Sequence, residues 1–540
     1  MSTNNGTIYS SEYREKDATD CISDNKALEQ EIDLAAGLAL PVQSSNSYRS
    51  RSRSPSLPQP RADSDAEEPT EPKIQSRSND LSWDGPNDVD DPHNWPFWKK
   101  MYLLNSVGLL CFTATLGTSI ISGGIVEIQQ NYSVSATASY LSVSLYILGL
   151  ALGPTLGAPI SEVFGRKVVY LITLPLSMCI SVGSALSPTF AGHLICRFLA
   201  ALFGSPVLAV SAGTIADVFT PLEQGIALAY FCATGPFMGP SVGPVVGGYI
   251  AKAKNWQWTI WLNLMTSGAT LILLLFIPES YMPVILKRRA LRRGENLPPK
   301  LPMRVALKKV AIITLIRPIK MLLFDPIVSS LSIYSSFVFA VLMGFFEAIP
   351  YIFIKTYHFT IPESGLVFIG VGAGISLSVP IHYLVQRIFY DNKARAMFER
   401  GDKPAAEWRL YSAFIGAVLL PSSLFWVGWS AKPEVHWIVP ALGTVPFGCS
   451  LALLFFSITT FLVDCYGPLL GASALAANNL LRYLIAAAFP LFTRIMYENL
   501  GIAWASSLLG FIGLALLPLS FLIYRFGAEW RLVGLRNLGV

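Results

Sequence analysis

From about residue 96 the chain alternates long apolar runs with short polar breaks. Each run holds roughly 20 residues, enough for a helix to cross about 30 Å of hydrocarbon. The pattern predicts twelve spans, at 102–125, 139–160, 168–188, 192–216, 227–250, 258–278, 327–350, 364–386, 410–430, 437–462, 470–493 and 503–524. Gly and Pro inside several of them are tolerable where neighbouring helices and cavity water satisfy the freed backbone groups. A polar break divides the spans, predicting an all-α integral membrane protein of two six-helix bundles, 96–278 and 326–526. A central loop at 279–325 joins the bundles and a short tail, 527–540, follows them. Residues 1–95 are rich in Ser, Pro, Asp, Glu and Arg and are expected to be a disordered tail. Its Ser/Arg run, Ser47 to Pro55, reads as solvated chain, with a phosphorylated regulatory patch as the alternative. No apolar core of signal-peptide length precedes the first span, so that span is expected to act as the targeting signal.

Composition sharpens this picture. Charged residues make up 14% and hydrophobic residues 52%, against about 25% charged in soluble proteins. A lipid-facing surface requires that deficit, and a soluble enzyme does not have it. The net charge of +5 is dispersed over loops, which argues against nucleic acid as a partner. The seven cysteines form no CxxC pair or His/Cys cluster, so no metal site and no cofactor is expected. Basic residues are unevenly shared among the loops. Arg166 and Lys167, the run from Lys287 to Lys320, and the stretch from Arg387 to Arg409 hold nineteen; the alternate loops hold five. The positive-inside rule then predicts both termini and the central loop in the cytosol, and an even number of spans agrees. The basic central loop is expected to lie on the anionic inner leaflet as short amphipathic helices, with a docked partner as the weaker alternative.

Two stretches carry mechanism. Gly157-Ala-Pro-Ile-Ser-Glu-Val-Phe-Gly-Arg-Lys167 joins spans 2 and 3. Gly165 permits a tight turn, and a carboxylate beside a guanidinium at a helix end can latch one conformation and release in another. Span 5 reads Gly235-Pro-Phe-Met-Gly-Pro-Ser-Val-Gly-Pro-Val-Val-Gly-Gly248. Glycine recurs every fourth residue, which puts a flat stripe on one helix face, while Pro236, Pro240 and Pro244 are expected to prevent a regular helix and bend it. The embedded Gly239-Pro-Ser-Val-Gly243 matches the hydrolase pattern GxSxG, but an apolar span lacks the strand-turn-helix that exposes such a serine. No GxxxxGK[ST] loop is present, so ATP is not the expected energy source.

The loop at 157–167 resembles the signature loop of the major facilitator superfamily, with Ala158 and Val163 as departures. The resemblance implies a latch of Glu162, Arg166 and Asp217. Gly239, Gly243, Pro244, Gly247 and Gly248 are similar to that superfamily's antiporter motif, which marks exchangers. Asp91-Pro-His-Asn-Trp-Pro96, Arg197 to Ser205, Trp256 to Trp261, Pro278-Glu-Ser-Tyr-Met-Pro283, Leu462 to Tyr466, and Ala474 to Asn478 with Arg482 narrow the likeness. Together they look like the fungal twelve-span drug:proton antiporters, a group of multidrug, fungicide and polyamine exporters. Ala201 and Ala486 replace glycines common there. The resemblance implies the major facilitator fold, in which the bundles rock about a midplane site.

Ionisable groups at membrane depth are costly and mark a pathway by default. Glu347 is the expected protonatable carboxylate, with a static hydrogen-bonded pair as the alternative. In the family's second motif an arginine matching Arg197 is implicated in proton transfer, by holding or releasing a neighbouring carboxylate. Arg482 is expected to take part in coupling, and Asn478 and Asn479 place amides beside it. Asp464 and Asp217 sit at helix ends, where a structural ion pair is at least as good a reading. The substrate cavity is expected to be apolar and aromatic, with Tyr146, Tyr334, Phe345, Phe346 and Tyr483 as wall candidates and Asn478 and Asn479 as its polar substrate contacts. Asn131-Tyr-Ser133 is a glycosylation sequon close to the membrane; Asn5-Gly-Thr7 is another, unused on a cytosolic tail. The expectation is therefore a monomeric, multi-pass plasma-membrane exporter of small amphiphilic molecules driven by protons. A polyamine exporter and a non-transporting sensor are the alternatives.

Overall fold

The computed structural model describes residues 83–294, 316–400 and 404–538. The Ser/Arg run, the Asn5 sequon, most of the predicted tail and the basic pair Lys308-Lys309 lie outside the described residues. Twelve long helical segments carry the fold. The first bundle has α1 (Phe97–Tyr132), α2 (Ala136–Phe164), α3 (Arg166–Leu186), α4 (Phe190–Val218), α5 (221–253) and α6 (Gln257–Leu275). The second has α7 (Pro326–Tyr357), α8 (Ile361–Asp391), α9 (Ala406–Ser430), α10 (Ile438–Gly467), α11 (Leu470–Leu500) and α12 (Ile502–Gly534). Each predicted span coincides with one of them; 168–188 and 258–278 overrun its end by two and three residues, and 437–462 starts one residue early.

Eleven of these helices are long and apolar enough to cross a membrane by composition. The twelfth, α5, is diluted by Gly and Pro. It is nonetheless helical throughout: Pro221–Cys232, a π-helical turn Ala233–Phe237, then Met238–Ala253. Of the three prolines expected to break its regularity, only Pro236 does so; Pro240 and Pro244 lie in regular α-helix. The irregularity is confined to the π turn holding Pro236, which absorbs the missing N–H within one widened turn.

Local sequence explains the helix boundaries. Thr220 with Glu223 and Thr360 with Glu363 form capping boxes that open α5 and α8. Asp325 caps α7, accepting from the N–H groups of Ile327 and Val328 at 3.0 and 3.2 Å. Gly467, at φ 63°, breaks what would otherwise be one 57-residue helix into α10 and α11. A side chain would strain that conformation. Large apolar side chains such as Ile172, Phe276 and Trp504 stand exposed on the bundle surface; such a surface needs lipid around it.

Between the bundles, α2 packs against the α10–α11 stretch, and α5 packs against α8. Within the second bundle, the core is dense in aromatic rings on α7, α8 and α10. Shorter helices lie at Met282–Arg293 and Arg317–Phe324 in the central segment. Among the described residues of a second compact unit, Asp84 pairs with Arg289 and Arg293.

Candidate transport site

The geometry begins at the helix ends where the basic signature loop lies. Gly165 adopts φ 97°, turning the chain so that the N-terminus of α3 meets a carboxylate from beyond α6. Glu279 accepts from the backbone N–H of Arg166 at 2.9 Å and of Lys167 at 3.2 Å, where a helix N-terminus favours negative charge. The Arg166 side chain donates from Nε to Asp217 Oδ2 at 3.1 Å and from Nη1 to Ser161 Oγ at 2.6 Å. Its guanidinium also stacks 4.6 Å from the Tyr281 ring centroid. Of the three expected latch residues, Arg166 and Asp217 meet. Glu162 stands exposed on the last turn of α2; among the described residues it makes no hydrogen bond or ion pair, although Arg166 lies within electrostatic reach. The turn at Gly165 directs α3 onto Glu279 instead. Glu279 was visible in the sequence within Pro278-Glu-Ser-Tyr-Met-Pro283, but nothing there announced its partner.

The second bundle repeats the arrangement. Arg409, at the start of α9, donates from Nε to Asp464 at the end of α10 at 2.7 Å. It also donates to Gln386 at 2.9 Å and to the Tyr390 hydroxyl at 2.9 Å. Arg166 and Asp217 hold the same places on α3 and α4. No Gly-Arg-Lys string precedes Arg409, so residue identity concealed this repeat.

Toward the opposite end of the bundle, α5 is held on two sides. A Cβ on Gly239 would lie 2.7 Å from Leu116 N and 2.9 Å from Phe112 O. One on Gly243 would lie 2.8 Å from Ile120 N, and one on Gly247 2.9 Å from Ile120 C. This face therefore carries α1 at backbone contact. The adjacent face meets the other bundle: a Cβ on Gly248 would approach Pro362 Cα at 3.0 Å, and one on Gly365 would approach Pro244 O at 2.6 Å.

The expected coupling charges occupy three separate places. Arg197 is 4% exposed and donates to Gly117 O at 2.7 Å and Ser142 O at 3.2 Å. It lies 4.1 Å from the Tyr146 ring. Its hydrogen-bond partners are carbonyls of α1 and α2, and no carboxylate is among its contacts, contrary to expectation. Tyr146 donates to Ala114 O at 3.0 Å, inside the first bundle. Glu347 is 4% exposed and accepts from the Arg494 backbone N–H at 3.0 Å. The Arg494 side chain turns away to Glu498 at 2.8 Å. The Tyr140 phenol of α2 lies within electrostatic reach of Glu347 from the other bundle.

Between the bundles is a cavity of about 50 Å³. Phe231, Cys232 and Phe237 line it from the first bundle; Phe339, Phe455, Thr459, Asn479, Arg482 and Tyr483 line it from the second. Phe237 meets Phe455 edge-on at 4.8 Å, closing the centre. Pockets for drug-sized ligands hold about 300–1,000 Å³, so substrate entry requires the bundles to part. Arg482 is 5% exposed. Its Nη2 donates to Asn479 Oδ1 at 2.6 Å, while Nε and Nη1 have no hydrogen-bond acceptor. Rings of Phe455, Tyr483 and Phe339 lie 4.5, 5.0 and 5.1 Å from the guanidinium carbon.

Among the predicted wall residues, Asn479 and Tyr483 face this cavity. Asn478 is turned a residue away and accepts from Ser335. Tyr334 is buried, its hydroxyl without a partner. Phe345 packs on Phe447 at 4.6 Å and Phe346 on Phe368 at 5.6 Å. These three fill the second bundle, and Phe339 is the α7 side chain at the cavity. On α11 the expected Asn479, Arg482 and Tyr483 share one helix face with Leu475, at i, i+4, i+7 and i+8; that spacing was the signal that singles out Asn479 over Asn478. Asn131 is exposed on the last turn before Ser133, which takes φ 51°.

Comparison with known proteins agrees with this architecture. Residues 107–490 match the profile of the Major Facilitator Superfamily. The chain is 38% identical over 508 residues to polyamine transporter 4 of Saccharomyces cerevisiae, covering 88% of this chain and 75% of that one. It is 37% identical over 457 residues to efflux pump FUBT of Fusarium oxysporum, covering 83% and 76%. It is 35% identical over 462 residues to the multidrug transporter FLU1 of Candida albicans, covering 84% and 75%. In structure it resembles the proton:xylose symporter XylE at a TM-score of 0.59 and 17% identity, over 80% of this chain and 96% of that one.

Proposed function

The chain belongs to the major facilitator superfamily, and on that premise we propose that it is a proton-coupled antiporter that exports small amphiphilic molecules. Relatives named as efflux pumps and as a multidrug transporter support the direction of transport. The backbone-close contact of α5 with α8, where Gly248 meets Pro362 and Gly365 meets Pro244, supports an exchanger, because it lets the two bundles slide on small residues. The Arg166 end faces the cytosol in this reading, as the basic loops require, and the protein resides in the plasma membrane with both termini inside.

The observation that carries the coupling is Glu347. It is a buried carboxylate on α7 within electrostatic reach of Tyr140 in the other bundle, and one backbone N–H is its hydrogen-bond donor. A buried charge so sparsely satisfied is costly. A proton on Glu347 removes that cost and favours the closed far end. Loss of the proton favours the state that opens it to water. The Arg166–Asp217 and Arg409–Asp464 pairs brace the first and second bundles at the opposite end and exchange partners as the bundles rock. Each inward proton thereby resets the cycle that carries substrate outward.

Glu347→Gln tests this. The variant is expected to keep exchange of labelled for unlabelled substrate across proteoliposomes and to lose uphill transport. Undiminished uphill transport excludes Glu347 as the coupling group. A polyamine exporter is the second reading, favoured by the similarity to a relative of that name.

A further inference from the structure

Arg482 is a charged side chain held at the cavity with donor capacity left over. Its side chain is buried, Asn479 takes one nitrogen, the Tyr483 phenol lies close enough to interact with it, and among the described residues Nε and Nη1 meet no acceptor. Leaving such donors unmet in a low-dielectric site is unfavourable. Three aromatic rings lie 4.5, 5.0 and 5.1 Å from the guanidinium carbon, neighbours that attract the cation while giving Nε and Nη1 no acceptor. The cavity lining contains no Asp or Glu. The titratable groups that interact with Arg482 are a phenol and a thiol, Tyr483 and Cys232. The cavity thus presents an uncompensated positive charge framed by apolar rings.

We propose that Arg482 anchors an anionic head group, so that the cavity selects amphiphilic carboxylates and disfavours polyamines. The inference rests on the export reading and names its substrate class. A carboxylate supplies charge-assisted acceptors to the free nitrogens, while its aromatic or alkyl body displaces Phe237 from Phe455 and takes that apolar contact. A neutral analogue makes the second contact without the first. A polyamine brings several positive charges beside a fixed guanidinium, with no lining carboxylate to offset the repulsion. Asn479, which already holds Nη2, acts as a positioning residue.

The test is equilibrium binding to the full-length protein in lipid nanodiscs at neutral pH, without a gradient. The probes are 1-naphthoate, 1-naphthalenemethanol and spermidine. Naphthoate is expected to bind about tenfold or more tighter than the alcohol, the size of one charge-assisted contact, and spermidine is expected not to displace it. Arg482→Gln is expected to bring the naphthoate-to-alcohol ratio close to one. Equal or weaker binding of naphthoate, displacement by spermidine, or an unchanged ratio in the variant would each overturn the proposal. The ranking in the natural sequence decides the matter even where the variant fails to fold. Because no pH gradient is used, failure here is separable from failure of proton coupling. A protein that exports the alcohol against a gradient but ranks naphthoate last keeps its transport mechanism and loses this substrate class.

Discussion

Arg409 donates from Nε to Asp464 Oδ2 at 2.7 Å, joining the start of α9 to the end of α10. The first bundle makes the corresponding link between Arg166 and Asp217 at 3.1 Å. Both arginines are mostly buried and both carboxylates partly exposed. Asp464→Asn leaves Arg409 with Gln386 and Tyr390 and is expected to cost about 1–2 kcal/mol, a charge-assisted hydrogen bond reduced by solvent at the carboxylate. Asp217→Asn should cost a similar amount. Thermal unfolding of each variant in detergent checks the size. Each single variant should also slow transport, and an unaffected rate would reduce these pairs to static braces.

Gly365 lies against the backbone of α5, where an added Cβ would sit 2.6 Å from Pro244 O and 3.1 Å from Pro244 C. Backbone cannot yield as a flexible side chain does. Gly365→Ala is therefore expected to disfavour the closed far end by about 1–3 kcal/mol, the usual cost of overpacking. Spin labels at the exposed positions Tyr249 and Leu366 should report a longer and broader distance distribution in the variant. An unchanged distribution would mean that α5 and α8 do not form the closure.

Asp325 offers a pH signature outside the spanning segments. Burial raises its carboxyl above the ordinary 3.8, and hydrogen bonds from Tyr466, Val328 and Ile327 oppose that shift. A carboxyl raised in the folded state binds more protons there than in the unfolded chain. Its contribution is thus fully present below the ordinary value and is lost as pH rises through the raised one. Asp325→Asn keeps the cap and abolishes the titration, so its stability relative to the natural sequence should improve with rising pH across that window. Asp325→Ala loses the cap and should cost about 1 kcal/mol. Melting temperatures of the three proteins across acidic pH provide the check.

The helices were legible because lipid imposes a demand that single residues report: every spanning segment must be apolar for about 20 residues. The flat stripe along α5 was likewise readable from glycines four apart, although the helix that fills it, α1, was not. Side-chain partners were not. Glu162 is nearer in sequence to Arg166 than Glu279 is, yet the Gly165 turn brings Glu279 to the start of α3. Arg409 lacks the glycine-basic string that drew attention to Arg166, although it forms the matching pair. On α7, aromatic content alone suggested Phe345 and Phe346, whereas helix rotation puts Phe339 at the cavity. A motif names the residue types a mechanism needs, but the face each one occupies is set by packing across the bundle.

Proton coupling is tested most directly by substrate movement in sealed proteoliposomes under an imposed pH difference. Substrate is expected to accumulate uphill, opposite to the proton flow, and to equilibrate when a protonophore is added. Accumulation at the same rate with and without the pH difference would contradict a proton-driven exporter.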